Sequence, residues 1–448
     1  MKHLLILPGL LILIFHSSPV SGRDLTSILP LLLRFQPTAS ADWGASPPGS
    51  ADRPDHSWLN QFTDITPIPV TTSIATTLAQ CPPVPTACIL AIDQLQLNQT
   101  VYLSRSHTKI QGMDGNKVTL TNANGGSFIT LESGIHDVVI EKLNIDGQSH
   151  DYQDKNVFGI LVSGENIDSI AIVKNSIHHL FSDDGAHGIG IYGSGDTEHN
   201  AITNVIIDNN LVSNMRTGSS ESIAINGNVK NWEITNNQIS HVNNIAIDAI
   251  GGEGTSPVQI VNSRTLPGDV DAARYGFIEY NSVTDMSTAT NPSYNNEHSW
   301  AGAIYVDGGH HIVIESNTVI GSEWAFELGA ENCVTPRHIL LKNNYAANSY
   351  FGDLYIGGYA AIGFNEDTAI NCNPFTSVDT NEGHGYLMNI TVQNNQFATP
   401  PDSQSPPFIQ VIEFGNRIRQ TIISQPDVSP QHPDGVVSGD QNSIRTTE

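Results

Sequence analysis

Short segments of alternating apolar and polar residues recur through most of the chain and predict β-strands. Seven of these segments superimpose without gaps, and each ends at an asparagine: Asn175, Asn210, Asn237, Asn281, Asn317, Asn344 and Asn395. Alternation directs every second side chain into a core, and asparagine at a fixed turn can hydrogen-bond its own backbone. Short strands repeated at roughly 20–50 residues predict a parallel β-helix, in which stacked asparagines form a ladder along the axis.

A second set of strands supplies the other part of each repeat. The sequence Ile-Ala-Ile leads to Asn226 and again, 22 residues later, to Asp248. Because the residue before each of these positions is expected to face inward, the aligned positions face outward on one line along the solenoid. Superimposing the strands gives this line as Ser163, Tyr192, Asn226, Asp248, Asp307, Glu327 and Gly357.

These repeats resemble the right-handed parallel β-helix superfamily, the pectate-lyase-like fold, over roughly residues 100–415. The resemblance implies an all-β fold, a single-stranded right-handed parallel β-helix with three strands per coil. It also implies an asparagine ladder between the second and third strands, and a substrate groove on the outer face of the first strand. Hydrolases, lyases, epimerases, tailspikes and adhesins share this architecture, so the resemblance leaves function open.

Composition divides the chain into five segments. Residues 1–22 are a predicted signal peptide, because Lys2 and His3 precede an apolar run that is followed by small residues. Residues 23–65 are predicted to be a leader or linker, and residues 66–100 a cap with a short helix near Thr71 to Gln80. The β-helix is assigned to residues 101–418 and a flexible tail to residues 419–448. This organisation predicts a secreted or periplasmic protein without membrane insertion.

The formal net charge is −26, with only 19 Lys and Arg residues in 448. Such a charge argues against nucleic acid, whose phosphates require cationic surface, and against polyanions unless cations mediate the contact. Four cysteines allow three pairings. Cys81 and Cys88 could close a local loop, and the stacking of consecutive coils predicts a disulfide between Cys333 and Cys372.

The outward line contains three carboxylates, Asp248, Asp307 and Glu327, which the alignment places in three successive coils. Adjacent coils lie about 4.8 Å apart, so aligned carboxylates repel and raise at least one pKa unless a cation lies among them. Glycoside hydrolysis needs one protonated and one ionised carboxyl, about 5 Å apart for retention or roughly 6.5–9.5 Å for inversion. The three are therefore the predicted catalytic residues without a metal. A Ca²⁺ site on the same residues is the alternative.

Residues on or beside this line are predicted to bind substrate: Tyr192, Asn226, Asn244, Arg274, His298, Tyr305, His310, Glu323 and Asp353. Three of them, Asn244, Glu323 and Asp353, fall four residues before the line and share its face if the strands extend that far. In the lyases of the superfamily, calcium neutralises a uronate while a basic residue removes the α-proton. By that resemblance the basic candidates here are His298, Tyr305, His310, Arg274 and Lys155.

Three functions stay open on this sequence. The favoured one is a secreted carbohydrate-active enzyme that hydrolyses glycosidic bonds of a polysaccharide or oligosaccharide, because the line is rich in carboxylates and poor in cations. A calcium-dependent polysaccharide lyase is the second. A non-catalytic surface or adhesive solenoid, whose repeats serve only as scaffold, is the third.

Overall fold

The computed structural model describes residues 47–97, 99–120, 125–152, 155–261, 264–268, 270–330, 334–358 and 387–399, with short segments at 410–413, 418–419, 422–424 and 443–445. The predicted signal peptide lies outside these residues, as do Cys333 and Cys372, so their disulfide stays a prediction. Within the described ranges, no helix combines the length and the apolar character that a membrane span requires.

Parallel strands form two long sheets around a shared core. Sheet 1 contains the first strand of each coil: Val101–Leu103, Gly126–Leu131, Asn156–Gly164, Gly185–Gly193, Ile223–Gly227, Ile247–Ile250, Gly302–Asp307, Trp324–Ala330, Gly352–Gly358 and Gln410–Glu413. Each strand pairs in parallel with its counterpart one coil further on, as Ile189 does with Ile223 and Ile223 with Ile247. The predicted all-β solenoid is therefore confirmed.

Sheet 2 contains the second and third strands of each coil. Its strands are Ile68–Pro69, Cys88–Leu97, Thr108–Leu120, His136–Glu141, Asn144–Asp146, Ile167–Val173, Ser176–His178, Ile202–Asp208, Leu211–Met215, Val229–Thr235, Gln238–Val242, Ala273–Glu279, Ser282–Met286, His310–Glu315, Thr318–Ile320, Arg337–Lys342, Tyr345–Ala347, Leu387–Gln393, Gln396–Phe397, Ile418–Arg419, Ile422–Ser424 and Ser443–Arg445. The strands Ile422–Ser424 and Ser443–Arg445 belong to the predicted tail and extend this sheet by parallel pairing. Two further strands, Gln259–Val261 and Arg264–Leu266, form a small antiparallel hairpin outside both sheets.

The seven aligned asparagines lie at the turn between the two strands of sheet 2. Each of the first six donates its Nδ2–H to the Oδ1 of the next, as from Asn210 to Asn237 at 2.9 Å and from Asn237 to Asn281 at 3.0 Å. The backbone N–H of each donor reaches the same Oδ1. The preceding residue is left-handed in every coil, with a φ near +56° at Asn209 and +55° at Asn236. This conformation turns the chain sharply enough to bury the amides.

The N-terminal part of the described chain packs along the outer face of sheet 2. It contains 3-10 helices at Ser50–Asp52 and Ser57–Phe62, and Phe62 packs against a small apolar cluster on that face. Arg53 bonds Glu279 at 2.7 Å. The single α-helix of the described residues, Ile74–Leu78, lies within the predicted helical segment, and Ile74 closes the end of the core.

Two short features complete the architecture. A disulfide joins Cys81 and Cys88, whose Cα atoms are 5.7 Å apart, and closes the local loop before the first long strand. Two more 3-10 helices, Thr288–Thr290 and Pro292–Tyr294, lie in the loop that precedes the strand Gly302–Asp307.

Candidate functional site

The outer face of sheet 1 carries two rows of side chains, which lie two residues apart along each strand. The first row contains Ala224, Asp248, Tyr305, Glu327 and Tyr355, each directly opposite the next in successive coils. The neighbours of Asp248 in the chain, Ile247 and Ala249, point into the core, so Asp248 points away from it.

The second row contains the remaining outward residues of the predicted line. Tyr192 is opposite Asn226, and Asp307 is opposite Gly329 and then Gly357. The prediction of one line through Asp248, Asp307 and Glu327 is therefore wrong. Asp307 lies two residues beyond Tyr305, in the second row, while Asp248 and Glu327 share the first row two coils apart. Two coils correspond to about 9.6 Å between their Cα atoms.

The structure brings two further carboxylates to Asp248, Glu221 and Glu253. Asp248 is only 2% exposed, and its Oδ1 accepts no hydrogen bond from the residues described. Burial raises the pKa of Asp248 well above its ordinary value, and the nearby charges of Glu221, Asp307, Glu253 and Glu327 raise it further. Burial and these neighbouring charges therefore favour the protonated form of the Asp248 carboxyl.

Glu221 is the second carboxyl with a raised pKa. Burial, followed by the charge of Glu253, raises the pKa of Glu221 to about 8. Its Oε2 lies 3.7 Å from Nδ1 of His187. Burial lowers the pKa of His187 to about 4, so this imidazole is neutral and supplies no positive charge. The ring of His187 stacks on the ring of Phe158 with centroids 4.4 Å apart, and this contact fixes the orientation of the imidazole.

A loop at residues 251–272 delivers Glu253 to the site. Asn226 donates to Glu253 Oε2 at 2.6 Å and accepts from Thr255 at 2.7 Å. The carboxylate of Asp271 fixes the same loop by accepting from the backbone N–H groups of Gly254 and Ser256. Asn226 therefore positions this loop. Tyr192, on the coil before, has its pKa raised by burial and then by Glu221, Glu253 and Asp248.

Two glycines shape the face around these carboxylates. The Tyr305 ring lies across Gly329 of the next coil, where any β-carbon would collide with the Tyr305 hydroxyl. The Tyr355 ring lies across Gly357, which is two residues further along its own strand. Because Gly329 is opposite Asp307, the Tyr305 hydroxyl reaches from the first row to the second. The tyrosine thus lies between Asp248 and Glu327 and points toward the position beside Asp307.

Three of the predicted substrate-binding residues are buried and bonded to the protein itself. Glu323 accepts from the backbone and the hydroxyl of Thr288, and so fastens the loop before Gly302. Asp353 accepts from Ser349 and from the backbone of Thr399. Asn244 donates to the Ser220 carbonyl. These contacts hold the turns that flank the carboxylates.

Tyr305 is the one basic candidate that lies in the carboxylate rows. Arg274 and His310 belong to sheet 2, where they are opposite each other in consecutive coils. Arg274 is buried and bonds Glu198 at 2.9 Å and Asn228 at 2.8 Å. His298 bonds Glu323 at 2.8 Å, and its ring stacks on Tyr350 with centroids 3.6 Å apart. The structure thus does not bring Arg274 or His310 together with Asp248.

An aromatic group borders the first row beyond Glu327. Trp300 is 46% exposed, and its ring packs edge-on against Tyr355 at 5.4 Å and Trp324 at 6.1 Å between centroids. Tyr355 is directly opposite Glu327. Trp300 thus offers an open aromatic face one coil from a site carboxylate.

Sequence reasoning missed Glu221 and Glu253. Glu221 lies two residues before the strand Ile223–Gly227. Including the acidic residues that directly precede the strands of sheet 1 among the candidates would have found it. Glu253 lies within a long loop, where alternation gives no direction to a side chain.

No protein-family profile matches the chain. The chain is 31% identical over 284 residues to YwoF, an uncharacterized protein of Bacillus subtilis (strain 168), which covers 59% of this chain. The match takes in 57% of that relative, so the chain spans less than two thirds of its length.

Several solved structures are similar to this chain, with sequence identities of about a tenth. A family 28 exopolygalacturonase from Yersinia enterocolitica has a TM-score of 0.53 at 10% identity, covering 83% of this chain and 71% of its own. The chain shares the right-handed parallel β-helix fold of this structure. The A-module of a mannuronan C-5 epimerase from Azotobacter vinelandii scores 0.48 at 9% identity, covering 83% and 91%. A DFA-IIIase from Arthrobacter chlorophenolicus scores 0.46 at 10% identity, covering 83% and 93%.

Proposed function

We propose that this protein hydrolyses glycosidic bonds of a polysaccharide or oligosaccharide on the outer face of sheet 1. The observation that carries the proposal is the pair Asp248 and Glu327, in register two coils apart, with the pKa of Asp248 raised. Their separation of about 9.6 Å between Cα atoms adjoins the roughly 6.5–9.5 Å between the carboxyl groups of inverting glycosidases. The shared fold with an exopolygalacturonase supports a carbohydrate substrate.

Each residue has a role that follows from its surroundings. Asp248, protonated because it is buried among other acids, donates its proton to the glycosidic oxygen as the bond to the anomeric carbon breaks. Glu327 accepts a proton from a water molecule, whose oxygen forms the new bond to that carbon from the opposite side. The products are two sugars with free hydroxyls, and the proton on Glu327 returns to Asp248 through solvent.

The surroundings favour an uncharged glycan. The chain carries a formal charge of −26, and the site gathers five carboxyl groups: Glu221, Asp248, Glu253, Asp307 and Glu327. Polyanionic sugars would be repelled unless cations intervened. Trp300, which is exposed beside Tyr355, offers a flat apolar surface on which a sugar ring can stack. We infer that the glycan extends from Asp248 across Tyr305 and Glu327 to Trp300.

A screen of glycans tests this proposal. New reducing ends without absorbance from unsaturated uronates would support hydrolysis, and proton NMR of the first product would then show inversion at the anomeric carbon. Absorbance from unsaturated uronates would show that the protein cleaves its substrate by elimination and would contradict the hydrolysis proposal. If neither signal appeared with any glycan in the screen, the protein would be the non-catalytic solenoid.

The second candidate is a calcium-dependent lyase, which the convergence of the same five carboxyl groups favours. Clustered carboxylate oxygens are the ligands that Ca²⁺ prefers, and Asp248 Oδ1 has no hydrogen bond among the described residues. A bound Ca²⁺ would neutralise an acidic sugar and would remove the need for protonated carboxyls. On this account EDTA abolishes activity and lowers the melting temperature. Full activity after exhaustive EDTA treatment would eliminate this candidate.

A further inference from the structure

A second cluster of ionisable side chains lies in sheet 2, at the end of the third strand. Asp146 and His178 are directly opposite each other in consecutive coils, and His179 follows in the left-handed conformation with a φ of +57°. Nδ1 of His178 lies 2.8 Å from Nδ1 of His179. Asp146 Oδ1 lies 3.6 Å from the first nitrogen and 3.4 Å from the second. Three potential ligand atoms therefore face one another.

The neighbours of His178 set which of its nitrogens is free to bind. Its Nε2 lies 2.8 Å from Oδ1 of Asn144, and an amide oxygen can only accept a hydrogen bond. Nε2 therefore carries the hydrogen, and Nδ1 directs its lone pair toward His179 and Asp146. Histidine ligands of metal ions are held in this way, with the other ring N–H bonded to a carbonyl or a carboxylate.

We propose that Asp146, His178 and His179 bind a divalent transition-metal ion of the zinc class. Tetrahedral coordination with zinc bonds of about 2.0–2.2 Å places ligand atoms about 3.3–3.6 Å apart. Two of the observed separations, 3.4 and 3.6 Å, lie within this range, and the third, 2.8 Å, is shorter. The shortest can open by rotation of His179, whose side chain is 40% exposed. Two imidazoles and one carboxylate favour zinc-like ions over calcium or magnesium, which prefer oxygen ligands alone.

The other contacts of Asp146 leave one of its oxygens for the ion. Lys117 Nζ bonds Oδ2 at 2.8 Å, and the backbone N–H of Gln148 donates to Oδ1 at 2.8 Å. Oδ1, which faces the histidines, retains a second lone pair for a metal bond. The fourth position of a tetrahedral ion would face solvent and take water. Because Asp146 and His178 belong to consecutive coils, the ion would join them and stabilise the folded chain.

A similar group elsewhere is less suited to a metal. His107, His136 and Asp137 also place ligand atoms close together. Nδ1 of His107, however, already lies 2.7 Å from Oε1 of Gln61, which requires that nitrogen to carry its hydrogen. A metal ion at His107 would therefore have to displace the hydrogen bond from this nitrogen to Gln61. The site at Asp146 is therefore the one proposed.

The next coil supplies a variant that should preserve the fold. Ser213 is opposite His178, and Asn214, which follows it, has the same left-handed conformation as His179, with a φ of +53°. The double substitution His178→Ser with His179→Asn copies this natural pair into the coil before. His241→Asn is the matched control, because His241 has a φ of +54° at the equivalent position one coil beyond Asn214.

The experiment titrates ZnCl₂ into metal-free protein without a polyhistidine tag, with calorimetry and thermal melting as readouts. We expect the wild-type chain and His241→Asn to bind one more zinc ion than the double variant, and to melt at a higher temperature when zinc is added. The double variant should lose that ion and that increase. An unchanged zinc stoichiometry in the double variant, or no binding by the wild-type chain, would overturn the proposal. Glycan cleavage is not the readout, so the result is independent of the proposed hydrolysis.

Discussion

Asp248 and Glu327 occupy equivalent positions two coils apart, and Tyr305 is the residue between them. Backbone hydrogen bonds between the parallel strands fix their register, and this register sets the distance between the Cα atoms of the two residues. A protonated carboxyl held at a set distance from a second carboxyl is the requirement of acid–base glycoside hydrolysis. The same register explains why Asp307 approaches this pair from the side.

The first prediction concerns the proposed general acid. Asp248→Asn keeps the shape of the side chain and removes its transferable proton, so turnover of the glycan found by the screen should fall by about 10²–10⁴. The steady-state rate is the measurement. The control is Asp285→Asn, because Asp285 is an exposed carboxylate in sheet 2. Equal turnover in the wild-type chain and Asp248→Asn would contradict the assignment.

The second prediction concerns Asp307, whose charge helps to raise the pKa of Asp248. Asp307→Asn removes that charge, so the pKa of Asp248 should fall and the acid should be lost at a lower pH. Because activity requires protonated Asp248, the basic limb of the kcat profile should move to lower pH by on the order of one unit. Turnover should fall most at pH values on the basic limb, by up to about tenfold for a shift of one unit. A pH profile that coincides with that of wild type would show that the charge of Asp307 does not influence the pKa of Asp248 during turnover.

The third prediction is a change in the pH dependence of stability. Glu221 has a pKa of about 8 in the folded chain and about 4.5 when unfolded. Below pH 4.5 both states are protonated, whereas between pH 4.5 and 8 only the unfolded state releases its proton. Glu221 therefore lowers the free energy of unfolding as pH rises through this window.

Glu221→Gln removes this proton release, so the variant should gain stability over wild type from pH 4.5 to pH 8, reaching on the order of a few kcal/mol. Urea unfolding at several pH values measures the difference, and Asp285→Asn again serves as control. A constant difference between Glu221→Gln and wild type at every pH would show that burial does not raise the pKa of Glu221.

The architecture could be predicted because its signals are local and repeated. The asparagine turns need one residue type at a fixed place in each coil, as at Asn210, Asn237 and Asn281, and alternation marks the strand before each of them. The outward direction of Asp248, Asp307 and Glu327 followed from the same alternation, and the structure confirms it.

The register of sheet 1 could not be predicted from alternation. A slip of one residue would exchange the inner and outer faces, but a slip of two leaves every side chain on its expected face. The repeated Ile-Ala-Ile before Asn226 and Asp248 suggested a repeat of 22 residues, whereas the backbone pairs Ala224 with Asp248. Glu253 escaped prediction for a different reason, because a contact made by Asn226 to a long loop leaves no periodic signal.

The fourth prediction tests Trp300 as a stacking surface for sugar. Trp300→Ala should raise KM by about tenfold, or roughly 1.4 kcal/mol, and leave kcat within about twofold, because the ring binds substrate away from the reacting bond. The partly exposed ring should contribute little to folding. Tyr280→Asn is the control, since Tyr280 is an exposed aromatic at the left-handed turn of sheet 2. A KM for Trp300→Ala equal to that of wild type would remove Trp300 from the binding surface.

The last prediction concerns the asparagine ladder. Asn237 is fully buried, donates to the Ile207 carbonyl and to Asn281, and accepts two hydrogen bonds from Asn210. Asn237→Ala leaves these buried groups without their partners, and each unsatisfied group costs about 1–3 kcal/mol. Allowing for relaxation, the free energy of unfolding should fall by roughly 2–5 kcal/mol, measured by urea unfolding followed by circular dichroism.

Asn236→Gly is the matched control for this loss. Asn236 precedes the ladder residue, is exposed, and has a φ of +55°, which glycine adopts without strain. Its side-chain bond to Asp208 lies at the surface, so the control should stay within about 1 kcal/mol of wild type. Because coils of a solenoid can unfold separately, the comparison should use the first unfolding transition. If the two variants lost equal free energies of unfolding, the buried amide of Asn237 would have no specific contribution to stability, which would contradict the prediction.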